Sequence, residues 1–162
     1  MYSNQSTFIV QNQTDYYINF QIKYTSSHLA WINFFEPILG ISPELLYLYQ
    51  DKVLIFINPD QFLETRRKWQ NYVKLHVHSF KHHIRIKSYS QNLTEIIGNW
   101  YQNIKNLEIQ ISIINKCVQI TLKPPSYLRQ FVIGKNGSEL ELLTIFLHDC
   151  VQGNYNFLLK IL

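Results

Sequence analysis

Alanine is almost missing from this chain: Ala30 is the only one in 162 residues. Cysteine is scarce too. Cys117 and Cys150 are too few for a disulfide framework, and their spacing matches no zinc pattern, so a small disulfide-stapled secreted scaffold is excluded. No apolar run approaches the ~18 residues of a membrane-spanning helix. Charged residues make up only 16% of the chain against 46% hydrophobic, which argues against disorder and for a buried core. The first residues, Met1-Tyr2-Ser3-Asn4-Gln5, open neither an apolar signal segment nor an arginine-rich transit peptide, and no arginine precedes Arg66.

What is abundant has a pattern of its own. The chain holds 21 isoleucines and 14 asparagines. Ile, Asn, Lys, Tyr and Phe use AT-rich codons, whereas Ala, Gly, Pro and Arg use GC-rich ones. The skew points to an AT-rich genome, such as an organelle's, and carries no chemistry. Taken with the missing leader, it gives the expectation of a protein made in the organelle where it works.

Charge is unevenly placed. The net charge is +4, yet residues 65–94 contain no Asp or Glu and seven cations: Arg66, Arg67, Lys68, Lys74, Lys81, Arg85 and Lys87. The rest of the chain carries eight basic and eleven acidic residues, a balance of −3. Trp69, Tyr72, Phe80 and Tyr89 interleave with those cations, and such mixtures suit a polyanion that also offers rings to stack on. An ordinary solvated face is the alternative. His76, His78, His82 and His83 lie in the same stretch without a cysteine or carboxylate nearby. They are expected on the outward side of strands rather than on a metal.

Periodicity sets out the elements. In the first ninety residues, alternation predicts a strand over 16–24. A helix over 27–35 should stop before Pro37. Ser42-Pro43-Glu44 looks like a cap opening a short helix through Tyr49, and Val53 to Ile57 like an apolar strand. Asn58-Pro59-Asp60-Gln61 should open a helix with Phe62, Trp69 and Val73 inward. Residues 73–78 and 83–87 both alternate and would pair as a hairpin. No stretch repeats another. The polar stretch Ser88-Tyr89-Ser90-Gln91-Asn92 is the expected boundary between an N-terminal region, 1–90, of mixed α/β character and a C-terminal domain, 91–162.

The C-terminal part reads helix, strand, strand, helix, Gly-rich break, helix, strand. Leu93, Ile96, Ile97 and Trp100 mark a helix over 93–103, and two alternating strands follow over 107–113 and 118–122. After Pro124-Pro125 a short helix is expected over 126–133, with Tyr127, Leu128, Phe131 and Val132 apolar. Ser138 to Glu141 has the spacing of a capping box for a helix through Leu140, Leu143, Leu147 and Val151, stopped by Gly153. A last strand closes the chain over 154–162. Three strands with one polar face each call for helices on the other face only, an α+β layer.

Two of the five glycines, Gly134 and Gly137, stand three apart between two helices. Glycine lets a backbone turn tightly and approach a sugar-phosphate chain, and the following helix offers N–H groups and the positive end of its dipole. Lys135 would sit there as a point charge. Glu139 and Glu141 would repel a phosphate if aimed at it. The same glycines could equally be plain helix caps.

The segment Val132-Ile133-Gly134-Lys135-Asn136-Gly137-Ser138-Glu139-Leu140, set in that element order, resembles a type II KH domain (a three-stranded sheet with helices on one face). KH folds hold about four nucleotides of single strand, clamped by a GxxG loop. The resemblance covers 91–162 and is most marked to the universal KH-bearing protein family of the small ribosomal subunit, number three in the usual scheme. It implies a structural RNA-binding protein of an organellar small ribosomal subunit, mitochondrial or alternatively plastid, in contact with rRNA, mRNA and neighbouring subunit proteins. It further implies that Arg129, Ile133, Gly134, Lys135, Asn136, Gly137 and Ser138 line the RNA contact, with the basic segment gripping other phosphates. That family continues past its KH domain where this chain ends, so a shortened or split form is expected, a split one having a separate chain that supplies the missing domain. The alternatives are a free-standing KH regulator or assembly factor, and a protein–protein adaptor that uses the aromatic N-terminal half.

No catalytic constellation stands out. GKNGS is not a phosphate-binding Walker loop, and His148, Asp149 and Cys150 point apart on a helix, so no enzyme activity, cofactor, metal or membrane contact is expected.

Overall fold

A computed structural model of the chain describes residues 9–10, 15–76 and 82–162. Contacts divide it into two compact units. One is Ile22–Ser90; the other joins Gln91–Leu162 to the described residues up to Gln21. The chain therefore passes between units twice, and the expected region 1–90 is not one body. Among the described residues there are five α-helices and two sheets, a mixed α/β architecture.

In the first unit, α1 (Ser26–Leu39) leads to β2 (Leu45–Tyr49) and β3 (Lys52–Ile57), then α2 (Phe62–Leu75) and β4 (His83–Ser88). β2 pairs antiparallel with β3, and β3 parallel with β4. Phe35 and Leu39 of α1 and Phe62 and Trp69 of α2 bury against Leu46, Val53, Ile55, Ile57 and Ile86. The other sheet face carries Leu45, Tyr47, Leu54 and Phe56, also buried, which is why β3 reads as an unbroken apolar run.

Four expectations fail here, each for a physical reason. Leu45–Tyr49 forms a strand in place of the helix expected over 42–49, because pairing with β3 outweighs the Ser-Pro-Glu cap signal. α1 continues through Pro37, which falls in its last turn and costs only a late backbone bond; Gly40, at φ 71°, ends it with its N–H on Glu36 O. Residues 73–75 belong to α2, so no 73–78 strand pairs with β4, whose partner is β3. The stretch over 16–24 makes only isolated bridges, Tyr17 to Asn92 and Phe20 to Val151. Asn58 does behave as read: its side chain accepts from Asp60 N–H at 2.9 Å, opening the 3₁₀ turn Pro59–Gln61 that leads into α2.

In the second unit, α3 (Leu93–Trp100) precedes β5 (Glu108–Ile114) and β6 (Cys117–Lys123), then the 3₁₀ turn Ser126–Leu128, α4 (Arg129–Ile133), α5 (Ser138–Cys150) and β7 (Asn156–Ile161). β5 pairs antiparallel with β6, β6 parallel with β7, and the two-residue β1 (Ile9–Val10) lies parallel on β5. Register puts Ile109, Leu122 and Ile161 in one row and Ile111, Ile120 and Leu159 in the next, all on one face. Glu108, Gln110, Gln119, Thr121 and Lys160 fall on the other. The helices bury Leu93, Ile96, Ile97, Val132, Leu143, Phe146 and Leu147. Asn92 caps α3 by accepting from Glu95 N–H at 3.2 Å, while its amide donates to Asp15 at 3.0 Å. α3 stops at Trp100, short of the expected 103, and α5 stops at Cys150.

The two units share one plan: helix, antiparallel strand pair, a single 3₁₀ turn, helix, and a strand parallel to the middle one. No residue-level repeat announces this, because the plan rests on pattern and pairing rather than on identical side chains. Apart from the added strand β1 on β5, one difference separates them. Between the second and third strands, one unit has the unbroken helix α2, and the other has α4 and α5 with a Gly-rich break between them.

Candidate nucleic-acid interface

The break between α4 and α5 is built on three residues of positive φ: Gly134 at 76°, Asn136 at 54° and Gly137 at 78°. The two glycines are there for different reasons. A Cβ on Gly134 would come within 2.7 Å of Glu139 N and 2.8 Å of Glu139 Cγ, so the fold leaves no room for one. Nothing lies within 4 Å of the Cβ position of Gly137, so only its φ demands glycine and open space faces its backbone. Gly134 N–H closes α4 on Gln130 O at 2.9 Å, and Gly137 N–H returns to Gly134 O at 3.2 Å.

This turn pushes Lys135 and Asn136 into solvent, with Arg129 and Ser138 exposed on either side and Ile133 half-buried. α5 starts at Ser138 with Gly137 as its cap and no capping side chain. The capping box expected from Ser138 to Glu141 does not form, because Ser138 is already helical, at φ −61°. Gly137 brings no capping side chain to the first N–H groups of α5, and the positive end of the helix dipole stands beside Lys135. Glu141 is exposed in that first turn, while the Glu139 side chain lies over Gly134.

The six described cations of the basic segment do not form one patch. Arg67 and Lys74 are exposed two turns apart on the outer stripe of α2, and Arg66 is half-buried. The Lys68 ammonium is 3.4 Å from Leu39 O and 3.5 Å from Glu64, where it closes the end of α1. Arg85 is half-buried on β4, and Lys87 is buried, 9% exposed; both already interact within the chain. Lys81 lies outside the described residues, as do His78 and Phe80. Nor do Trp69 and Tyr72 offer open stacking faces there. Trp69 is in the core, edge-on to Phe35 at 5.4 Å, and Tyr72 stacks on Trp69 and His76 at 5.6 and 4.1 Å. His76 ends α2 rather than facing out from a strand, and its Nδ1 lies 2.9 Å from Tyr72 O. Among the described residues no three His, Cys, Asp or Glu side chains gather, and no helix is long and apolar enough to cross a membrane.

A feature that periodicity did not single out adjoins the loop. Trp100 and Tyr101 at the end of α3, Asn103 and Ile104 after it, Leu128 and Phe131 before the loop and Glu139 after it line a cleft of about 370 Å³. Phe131 is 58% exposed although Val132 beside it is fully buried, and Tyr127 one turn earlier is 69% exposed. That Tyr127, Leu128, Phe131 and Val132 are all apolar did not show this, because α4 is too short to bury more than one side of itself.

The sequence matches no known protein-family model and no curated protein. The fold is similar to the crystal structure of APE1850, with a TM-score of 0.68 over 86% of this chain and 100% of that one, at 18% identity. That likeness is one of fold.

Proposed function

We propose that the α3–β7 unit is a type II KH fold that holds the backbone of single-stranded RNA at the Gly134–Gly137 loop. The observation that carries this is the loop's geometry: a glycine pair of positive φ, open space before Gly137, and Lys135 and Asn136 exposed at the Gly-capped start of α5. Its αββααβ order and mixed sheet, with β6 antiparallel to β5 and parallel to β7, support the same reading. Phosphates would meet the α5 amides and Lys135, with Arg129 nearby; on the other unit Arg67 and Lys74 are the cations available to grip further backbone. By resemblance to the KH-bearing small-subunit family, the proposed setting is the small subunit of an organellar ribosome.

Two experiments test the two levels of this proposal. Binding of single-stranded RNA by the full chain should weaken linearly in a log–log plot against salt, and Gly137→Asp should abolish it in a chain that still folds, since Asp tolerates positive φ but sets a carboxylate before the phosphate. A flat salt response would refute RNA binding. Sedimentation of the native chain in organelle lysate, through a high-salt gradient, should give one-to-one migration with the small subunit. Recovery at the top would instead make it a transient RNA binder.

A further inference from the structure

The cleft beside the loop has a composition that selects its occupant. Its broad walls are aromatic and apolar, from Trp100, Tyr101 and Phe131, and its polar members are one carboxylate, Glu139, and one amide, Asn103. No cation lines it. Its volume, about 370 Å³, lies in the range of small-ligand sites. The walls are held in place: Tyr101 donates its hydroxyl to Val132 O at 3.2 Å, and the Trp100 ring rests on Phe146 at 5.3 Å. Phe131, by contrast, stands 58% exposed at the mouth, a flat apolar face open to a ligand.

From these residues we infer that the cleft is a guanine-binding site, reading a base of the same strand whose phosphate rests on the loop; it rests on the RNA reading above. Position supports it. Phe131 precedes Gly134 by one helical turn, Glu139 follows Gly137 by two residues, and the Glu139 side chain lies over Gly134. A nucleotide held at the loop therefore has its base within reach of the cleft. Chemistry chooses the base. A planar ring stacks on the open face of Phe131, 58% exposed. Its edge must then present donors to Glu139, whose carboxylate has about four acceptor sites and can take new partners beside those it has. Guanine alone shows two adjacent donors, N1–H and the 2-amino group, and its O6 beside them accepts from an amide such as Asn103. Adenine and cytosine offer one amino group each, and uracil flanks its single N–H with two carbonyls that a carboxylate repels.

The test is fluorescence anisotropy of the full chain with labelled oligouridine, and with the same oligomer carrying one central G, A, C or inosine. The G oligomer should bind about 5- to 150-fold tighter than oligouridine, the span of one good bidentate base contact. Inosine, which lacks the 2-amino group, should lose most of that gain. Glu139→Gln should erase the preference for G, with oligouridine binding unchanged or raised by the loss of a negative charge beside the loop, and Phe131→Ala, at an exposed position that does not endanger folding, should weaken the G oligomer alone. If every oligomer binds alike and Glu139→Gln leaves them alike, RNA binding stands and the guanine site is overturned, leaving the cleft to an occupant such as a protein side chain. If oligouridine itself fails to bind and Lys135→Ala changes nothing, the RNA reading falls and takes the site with it.

Discussion

Alanine placed at either loop glycine should separate the two roles that the backbone assigns them. At Gly134, φ 76° and ψ 170° define a region almost closed to other residues, where the strain is of order 1–3 kcal/mol. The new methyl would also lie 2.7 Å from Glu139 N, a backbone atom that cannot swing away, and such overpacking adds roughly 1–3 kcal/mol. Gly134→Ala should therefore cost about 3–4 kcal/mol. At Gly137, φ 78° and ψ 8° are ordinary left-handed backbone, and nothing meets the methyl, so Gly137→Ala should cost only about 1–2 kcal/mol. For a chain of 162 residues each kcal/mol moves the melting temperature by about 3 °C. Thermal unfolding followed by far-ultraviolet circular dichroism should then show a drop near 10 °C for the first variant and near 4 °C for the second. Equal shifts, or a neutral Gly134→Ala, would refute the claim that Glu139 packs over Gly134, and with it the placement of Glu139 at the mouth of the cleft.

Three further outcomes are expected. Lys135→Ala should reduce the slope of log affinity against log salt by about 0.7, one phosphate's worth on a single strand, and weaken all sequences alike; an unchanged slope would take Lys135 off the backbone. His28 accepts from Thr25 N–H at 3.1 Å through Nδ1, and burial lowers its pKa, so the fold favours the neutral ring. Stability from this group should be fully present above about pH 6.5, its unfolded value, and be lost as pH falls through the lower folded one; His28→Gln should flatten that part of a urea-midpoint profile, and an unaltered profile would discard the linkage. Cys150 is buried, and desolvation, with Asp149 adding to it, pushes its thiol far up. A thiol reagent should modify half-buried Cys117 first and reach Cys150 only on unfolding, as mass mapping of the labelled chain would show.

Much of the second unit was legible because its elements are stabilised locally. The strands 108–114 and 117–123 alternate with period two, the Leu93–Trp100 stripe has helical period, Pro124-Pro125 stops a strand, and Gly134 and Gly137 hold the positive φ that their spacing promised. Each of those signals acts within a few residues, so the linear order already contains it. The first unit was misread wherever a distant partner decides. Leu45–Tyr49 follows a helix-start signal and becomes a strand because β3 pairs with it, whereas Val53–Ile57, apolar throughout because both of its faces are buried, is a strand as its sequence reads. The basic segment shows the same limit. Its charge is plain in the sequence, but only the fold turns Lys68 to a helix end, buries Lys87 and leaves Arg67 and Lys74 to solvent. The cleft at Phe131 is the clearest case. Trp100, Asn103, Phe131 and Glu139 are spread along the chain with no spacing to join them, and it is tertiary packing, with the Trp100 ring at the end of α3 resting on Phe146 of α5, that makes them one site. Composition and periodicity determined that this chain folds, where its Gly-rich turn lies and which side of each C-terminal strand is apolar. Tertiary contacts decided which charges remain exposed and what stands beside the turn, because burial is settled between elements and periodicity only within them.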